Sequence, residues 1–484
     1  MTKIINVDIC VIGAGSAGLS IAAGASQMGA RTVLVERGRM GGDCLNYGCV
    51  PSKALLAAAK AANAHRRARR MGVGGAAPEI DFQAVHDHVR GVIESIAPQD
   101  SVERFEAMGV TVVRAGARFT GPREVEAGDT RIRARRFVVA TGSLPMVPPI
   151  PGLDALPYLT NETVFDLSEL PGHLIVVGGG PIGCELGQAF RRLGARVSLL
   201  EMASILPKDD PELVDILRTK LREDGVEILE SARVTSVEGS GVEGSGVEGS
   251  NRAVAVTVER DGETQRLSGS TLLIVAGRRP AVDDLDLQAA GIEFDRGGVK
   301  VDARLRTTNR RVYAAGDVVG GYQFTHMAGH HASVVIKNAL FRVPAKVETR
   351  AVPWVTYTDP ELAHVGLSEE AARHTHGRIR VLRWPFAEND RARAERRTDG
   401  LVKVVATPRG RILGASILGA HAGESIQPWI LAISRRIGLS AMAGTIAPYP
   451  TLGEASKRAA ASFYAEKMFS ERTKRLVRLL LRLG

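Results

Sequence analysis

The first clear apolar run in the chain is Asp8-Ile9-Cys10-Val11-Ile12, within a strand-like stretch that begins near Ile4. A run this short, closed by glycine, predicts a buried β-strand rather than a helix. It is followed by Gly13-Ala14-Gly15-Ser16-Ala17-Gly18, a helix of small residues to about Gly29, and a second strand over 32–35 that ends in Glu36. The same order returns as a strand over 174–177, then Gly178-Gly179-Gly180-Pro181-Ile182-Gly183, a helix to about Leu193, and a strand over 197–200 ending in Glu201. From about Ala351 the pattern changes, and strand-like segments such as 401–405 mix with helices, as in an α+β domain. The last stretch, 466–484, reads as one basic helix, with Arg472, Arg475, Arg478 and Arg482 along one face and Leu476, Leu479, Leu480 and Leu483 on the other.

A lone glycine fingerprint is weak, but each of these follows a strand, opens a helix and reaches an acid about 20 residues on. Gly13 and Gly15, like Gly178 and Gly180, let the backbone turn and approach a pyrophosphate. The helix N-terminus offers it free N–H groups and a positive dipole end. Gly18 and Gly183 complete the two fingerprints, and Glu36 and Glu201 are placed to accept from ribose hydroxyls. Two copies imply two bound dinucleotides. The fold class is therefore α/β, with two Rossmann-like dinucleotide-binding domains and an α+β C-terminal domain.

Composition narrows the picture. The chain of 484 residues is too long for one core. No apolar run is long enough to cross a bilayer, and the N-terminus runs straight into a strand pattern with no signal peptide, so a cytoplasmic location is expected. The formal net charge of +10 is spread over many segments without a nucleic-acid-binding motif, which reads as a solvated basic surface and no nucleic-acid partner. The four cysteines do not form a secreted disulfide framework. Nor is there a second Cys pair to build a zinc site, so no metal ligands are assigned. Residues 237–250 repeat Val-Glu-Gly-Ser-Gly, which predicts an expanded, flexible hairpin loop in the second dinucleotide domain.

The most informative stretch is Gly41-Gly42-Asp43-Cys44-Leu45-Asn46-Tyr47-Gly48-Cys49-Val50-Pro51-Ser52-Lys53. A helix should begin near Cys49, and a thiol at a helix N-terminus has a lowered pKa. In a reducing compartment such a pair is catalytic or metal-binding, whereas Cys10 in mid-strand and Cys184 at the second helix read as core residues. The stretch resembles the redox-active site of the class I pyridine nucleotide–disulfide oxidoreductases, the family that includes lipoamide dehydrogenase, glutathione reductase and mercuric reductase. Ordered matches at Ala140-Thr141-Gly142, Ala276-Gly277-Arg278-Arg279-Pro280, Val312-Tyr313-Ala314-Ala315-Gly316-Asp317 and Thr358-Asp359-Pro360-Glu361 extend the resemblance from Val7 to about Ala465.

The resemblance implies an FAD enzyme using NADH, with NADPH disfavoured by the acid at Glu201. FAD would be held by the first glycine loop, Glu36 and Asp317, with Thr141, Gly142, Gly277, Gly316 and His326 completing the cofactor contacts. Lys53 would pair with Glu185 near the flavin, Cys49 would be the flavin-side thiol, and Cys44 the interchange thiol that meets substrate. It also implies an FAD-binding domain over 1–150 and 278–348, an NAD-binding domain over 151–277, a dimerisation domain over 349–465 and the tail helix over 466–484, in a homodimer.

One departure stands out. Where lipoamide dehydrogenase and glutathione reductase carry a His–Glu base contributed by the partner subunit, this chain reads Tyr449 and Glu454. Tyrosine, with an ordinary pKa near 10, is a poor base at neutral pH. Mercuric reductase has tyrosine there, which favours that branch, but its C-terminal cysteine pair is missing because no cysteine follows Cys184. The acceptor stays open between a small-molecule or protein disulfide and a metal ion. The alternative is an NADH:quinone or diaphorase-type enzyme whose basic tail touches a membrane, against the expectation that the tail docks on its own dimer. His326 is a candidate substitute base, set against a helix-start histidine that packs beside FAD.

Overall fold

The computed structural model of the protein describes residues 3–240 and 253–483. It divides into two compact units, one of residues 1–202 and 228–347 and the other of 203–227 and 348–484.

The first unit is organised around a seven-stranded sheet in which Lys3–Ile12 lies between Thr32–Val35 and Thr130–Val139, parallel to both. Val312–Ala314 also pairs in parallel with Thr130–Val139. Parallel strands are covered on both faces and so become apolar throughout. Ile9 and Val11 pack with the helix Ser16–Gln27 on one side, and Cys10 and Ile12 with Phe119, Phe137 and Val299 on the other. Cys10 is thus a core residue, as expected, and burial pushes its thiol up to about 12.

The second glycine loop lies in the same unit, among the parallel strands His173–Val177, Arg196–Leu200 and Thr271–Ile274. Beside them, Ala232–Ser240, Ala253–Arg260 and Glu263–Gly269 form an antiparallel sheet. The first two strands of that sheet, with a register shift between Val234 and Ser236, stay paired to Ser240↔Ala253, so the start of the Val-Glu-Gly-Ser repeat is strand. The rest of the predicted loop, 241–250, lies outside the described residues.

The second unit carries a five-stranded antiparallel sheet in the order Pro353–Thr356, Glu361–Gly366, Ile412–Gly419, Leu401–Ala406 and Arg380–Pro385. Its core includes the fully buried Trp429, whose indole N–H donates to Ser456 Oγ at 3.0 Å. Residues 203–227, placed with the nicotinamide-binding stretch by the sequence, pack in this unit. Buried Lys403 explains why: its Nζ lies 2.8 Å from Asp210, 3.0 Å from Glu212 and 3.0 Å from Glu369.

The tail corrects one expectation. Residues 466–484 are not one helix: Glu454–Met468 runs past Glu466, and a separate helix, Glu471–Leu480, starts after Ser470. Ser470 is its N-cap and accepts from Thr473 N, satisfying a donor that a continuous helix would have paired with backbone. Among the described residues, no helix is long and apolar enough to cross a membrane.

Candidate active site

The two cysteines are carried by consecutive helices, one short and one long. Cys44 lies in the helix Gly42–Asn46, and Cys49 is the first residue of the helix Cys49–Ala68. The loop between them is tight: a side chain at Gly48 would come within 2.7 Å of Asp43 Oδ2. The Cys49 thiol is lowered to about 6, first by the hydrogen bond from Cys44, then by Thr325 and by the Lys53 ammonium, against the cost of burial. Cys44, the donor of that bond, is pushed upward. The two shifts run in opposite directions and favour negative charge on Cys49 and the proton on Cys44.

Thr325 is a residue that the sequence reading passed over. It is the first residue of the helix Thr325–Ala339, and its hydroxyl lies 3.4 Å from Cys49 Sγ. Neighbouring His326, the expected cofactor residue, stacks on Phe324 with ring centres 5.2 Å apart.

Lys53 stands one turn beyond Cys49, and its Nζ lies 2.9 Å from Glu185 Oε2, the pair expected from the sequence. Glu185 is buried on the helix Pro181–Leu193, so the lysine supplies the counter-charge that a buried carboxylate requires.

A second network holds the redox segment from the other side. Arg278 donates through Nε to Ser143 Oγ at 2.8 Å and through a terminal nitrogen to Asp43 Oδ1 at 3.0 Å. Ser143 in turn donates to Asp317 Oδ2 at 2.7 Å, and burial raises the Asp317 carboxyl above the usual carboxylate range. Buried His331 accepts from Gly316 N through Nδ1 at 3.1 Å, which requires the neutral ring; burial lowers its pKa to about 4. Thr141 donates to Ala281 O at 2.6 Å. Gly142, Gly277 and Gly316 all sit in turns with positive φ.

The glycine loops allow a test of whether nucleotides fit. Gly13 and Gly178 have φ of +104° and +119°, and Gly18 and Gly183 touch the carbonyls of Gly13 and Gly178, so the fold itself requires these four. Gly15 and Gly180 differ: their φ values of −87° and −72° suit any residue, and a Cβ there would meet nothing closer than 3.9 Å at Gly15 and nothing within 4 Å at Gly180. Neither conformation nor packing demands glycine at these two helix N-termini. A diphosphate approaching the backbone does, so the residues fit the two dinucleotides. Glu36 accepts from Ala14 N and Gly38 N, each at 2.6 Å, and Glu201 from Gly179 N at 2.7 Å, so both acids also brace their loops.

In the second unit, Tyr449 is exposed, and its hydroxyl donates to Asp390 Oδ2 at 2.9 Å. That bond raises its pKa further, so the group stays protonated. Glu454 opens the helix Glu454–Met468 and pairs with Arg458 at 2.9 Å.

A paired-thiol centre, two glycine-loop cradles and an antiparallel C-terminal sheet define a flavin-linked disulfide reductase. The chain belongs to the pyridine nucleotide-disulphide oxidoreductase family, matched over residues 7–332, with that family's dimerisation domain matched over 352–460. It is 36% identical to a mercuric reductase of Streptomyces lividans, over 95% of this chain and 96% of that one. It is 34% identical to a dihydrolipoyl dehydrogenase of Staphylococcus aureus, over 94% and 96%. Among solved structures it resembles the Cu(II) complex of the HOCl-induced flavoprotein disulfide reductase RclA from Escherichia coli, with a TM-score of 0.83 and 29% identity over 94% of this chain and 99% of that one. The family uses FAD and NAD(P)H.

Proposed function

We propose that this chain is an FAD-dependent NADH oxidoreductase that loads electrons onto the Cys44–Cys49 pair and passes them to a thiolate-bound metal ion or, more slowly, to a disulfide. The carrying observation is geometric: Cys44 and Cys49 lie on consecutive helices, Cys49 Sγ is 3.4 Å from Thr325 Oγ1, and Lys53, one turn beyond Cys49, pairs with buried Glu185 at 2.9 Å.

The first loop, with Glu36 and Asp317, would hold FAD, and the second, with Glu201, would hold NADH. Glu201 supports NADH over NADPH, since a carboxylate accepts a ribose hydroxyl and repels a phosphate. When bound, FAD supplies a two-electron relay between nicotinamide and sulfur. Lys53 favours the Cys49 thiolate by charge, and Thr325 does so by hydrogen bonding. Reduction of the Cys44–Cys49 disulfide by two electrons and one proton would break the S–S bond and leave Cys49 as the flavin-side thiolate and Cys44 as the thiol that meets the acceptor.

With a disulfide acceptor, Cys44 must lose its proton to attack and the departing thiolate must gain one. Tyr449, held protonated by Asp390, is a poor base for this step, even when it and Glu454 are contributed by the partner subunit of a homodimer. A soft metal ion needs only thiolate ligands and electrons. Relatives named mercuric reductase, and a flavoprotein disulfide reductase solved as a Cu(II) complex, support a metal ion among the acceptors.

The test is NADH oxidation by the flavin-loaded protein with mercuric ion, cupric ion, lipoamide and glutathione disulfide. Metal ions should turn over faster than disulfides. Tyr449→His should raise disulfide turnover by about 10²-fold. Cys49→Ser should lower every rate by on the order of 10³-fold or more. A Cys49→Ser protein that keeps its activity would rule out the cysteine route.

A further inference from the structure

Among the described residues, the helix Glu471–Leu480 buries none of its side chains against its own unit. None of its residues is buried, and Leu476, Leu479, Leu480 and Leu483 are 54%, 56%, 55% and 77% exposed. With backbone bonds from Leu481, Arg482 and Leu483 continuing the last turn, these four leucines form one strip, spaced as residues of a single helical face. Arg475, Arg478 and Arg482 lie together about 120° round the helix from that strip, with Lys474 beyond them, paired with Glu471 at 2.9 Å, while Arg472, one turn before Leu476, falls in line with the leucines. From Glu466 to Leu483 there are six basic residues (Lys467, Arg472, Lys474, Arg475, Arg478 and Arg482) against two acidic ones (Glu466 and Glu471), a balance of +4. The dimerisation-domain match ends at residue 460, before this helix begins.

We infer that this terminal helix lies flat on an anionic phospholipid bilayer, with its leucine strip in the acyl boundary and its arginines on lipid phosphates. An acidic protein groove would satisfy the arginines but would need its own apolar floor. An anionic bilayer offers both layers at the right depth, phosphate outside and hydrocarbon beneath. Guanidinium groups pair bidentately with phosphate, and their aliphatic stems can follow the leucines inward. Ten residues span about 15 Å, half of the hydrocarbon thickness, so the helix can lie on a membrane but not cross it. One short helix binds weakly, but a dimer presents two, and the second contact is then intramolecular.

The test is co-sedimentation of the full-length, flavin-loaded protein with phosphatidylcholine vesicles, plain or with about 30 mol % phosphatidylglycerol to give a negative surface potential. The inference expects at least ~10-fold stronger binding to the anionic vesicles, lost in about 0.5 M salt where charges are screened within a few Å. Leu476→Gln with Leu480→Gln, and separately Arg475→Gln with Arg478→Gln and Arg482→Gln, should each weaken binding by about 10-fold. NADH oxidation with a soluble acceptor and the sedimentation coefficient in solution should stay unchanged. Equal binding to both vesicle types, no binding to either, or anionic binding that the variants retain would overturn it. So would loss of the dimer in the leucine variant, which would assign the helix to a second copy of the chain.

Discussion

The two glycine loops are near-copies in backbone and differ in what surrounds them. Each has one glycine at strongly positive φ, another pressed on its carbonyl, and a glutamate bracing the N–H of the loop's second residue. The first loop is roofed by the cysteine segment, with Gly42 against Gly15. The second leads into a helix whose buried Glu185 reaches across to Lys53. A common cradle for diphosphate thus gains its individual role from the residues docked on it, one loop beside the sulfur pair and the other linked to it by an ion pair.

The sharpest way to break this comparison is to place alanine at the matched open positions. Gly15→Ala and Gly180→Ala should both fold, with stability within about 1 kcal/mol of the parent, because neither has a strained φ or a nearby clash. Gly15→Ala should purify with little flavin and lose activity about 10²-fold, whereas Gly180→Ala should stay yellow and show a raised KM for NADH. Flavin content and steady-state kinetics would check this, and identical behaviour of the two variants would erase the distinction between the loops.

A smaller effect should follow from cutting the link between them. Lys53→Met leaves the buried Glu185 carboxylate without this counter-charge, and should cost about 2 kcal/mol, the half-exposed lysine placing it below a fully buried pair. Thermal unfolding would measure the loss, and adding Glu185→Gln should recover most of it. Additive losses would mean that the ion pair couples nothing.

The smallest effect concerns the thiol itself. Thiolate is the reactive form, so alkylation of Cys49 in the reduced protein should be fast above about pH 6 and fall about tenfold for each unit below it. Thr325→Val removes a hydrogen bond that favours the thiolate and should move the midpoint upward, so alkylation at pH 6 slows. Cys44→Ala removes the larger contribution and should move it further. An unchanged midpoint in both variants would show that helix position and Lys53 alone set the acidity.

Much of this was legible in the chain because it is local. The strand, glycine loop, helix and acid of each dinucleotide unit lie within about 30 consecutive residues, and the structure forms them where the pattern places them. The helix beginning at Cys49 was read from the local sequence, and the Lys53–Glu185 pair, 132 residues apart, was implied by the family resemblance alone. Thr325, Arg278 and Ser143 were missed as site residues because their contacts span 276, 235 and 174 residues, and no periodicity carries such partners. Arg278 did stand inside a quoted match, but nothing local says that it reaches Asp43. His331 looked like any helix residue until the fold brought Gly316 N to its ring. The tail was a different failure: Ser470 before Glu471 is a local stop-and-start signal, and the surrounding leucine and arginine pattern masked it.

Gly42 has φ of +59°, and a Cβ there would stand 2.6 Å from Gly15 Cα. Bare backbone meets bare backbone, so the sulfur-bearing segment and the nucleotide cradle share a seam that no side chain can widen. An engineer who swaps this cysteine segment for one from another enzyme must therefore keep glycine at position 42, because any Cβ there would press on the cradle's backbone before any chemistry could be compared.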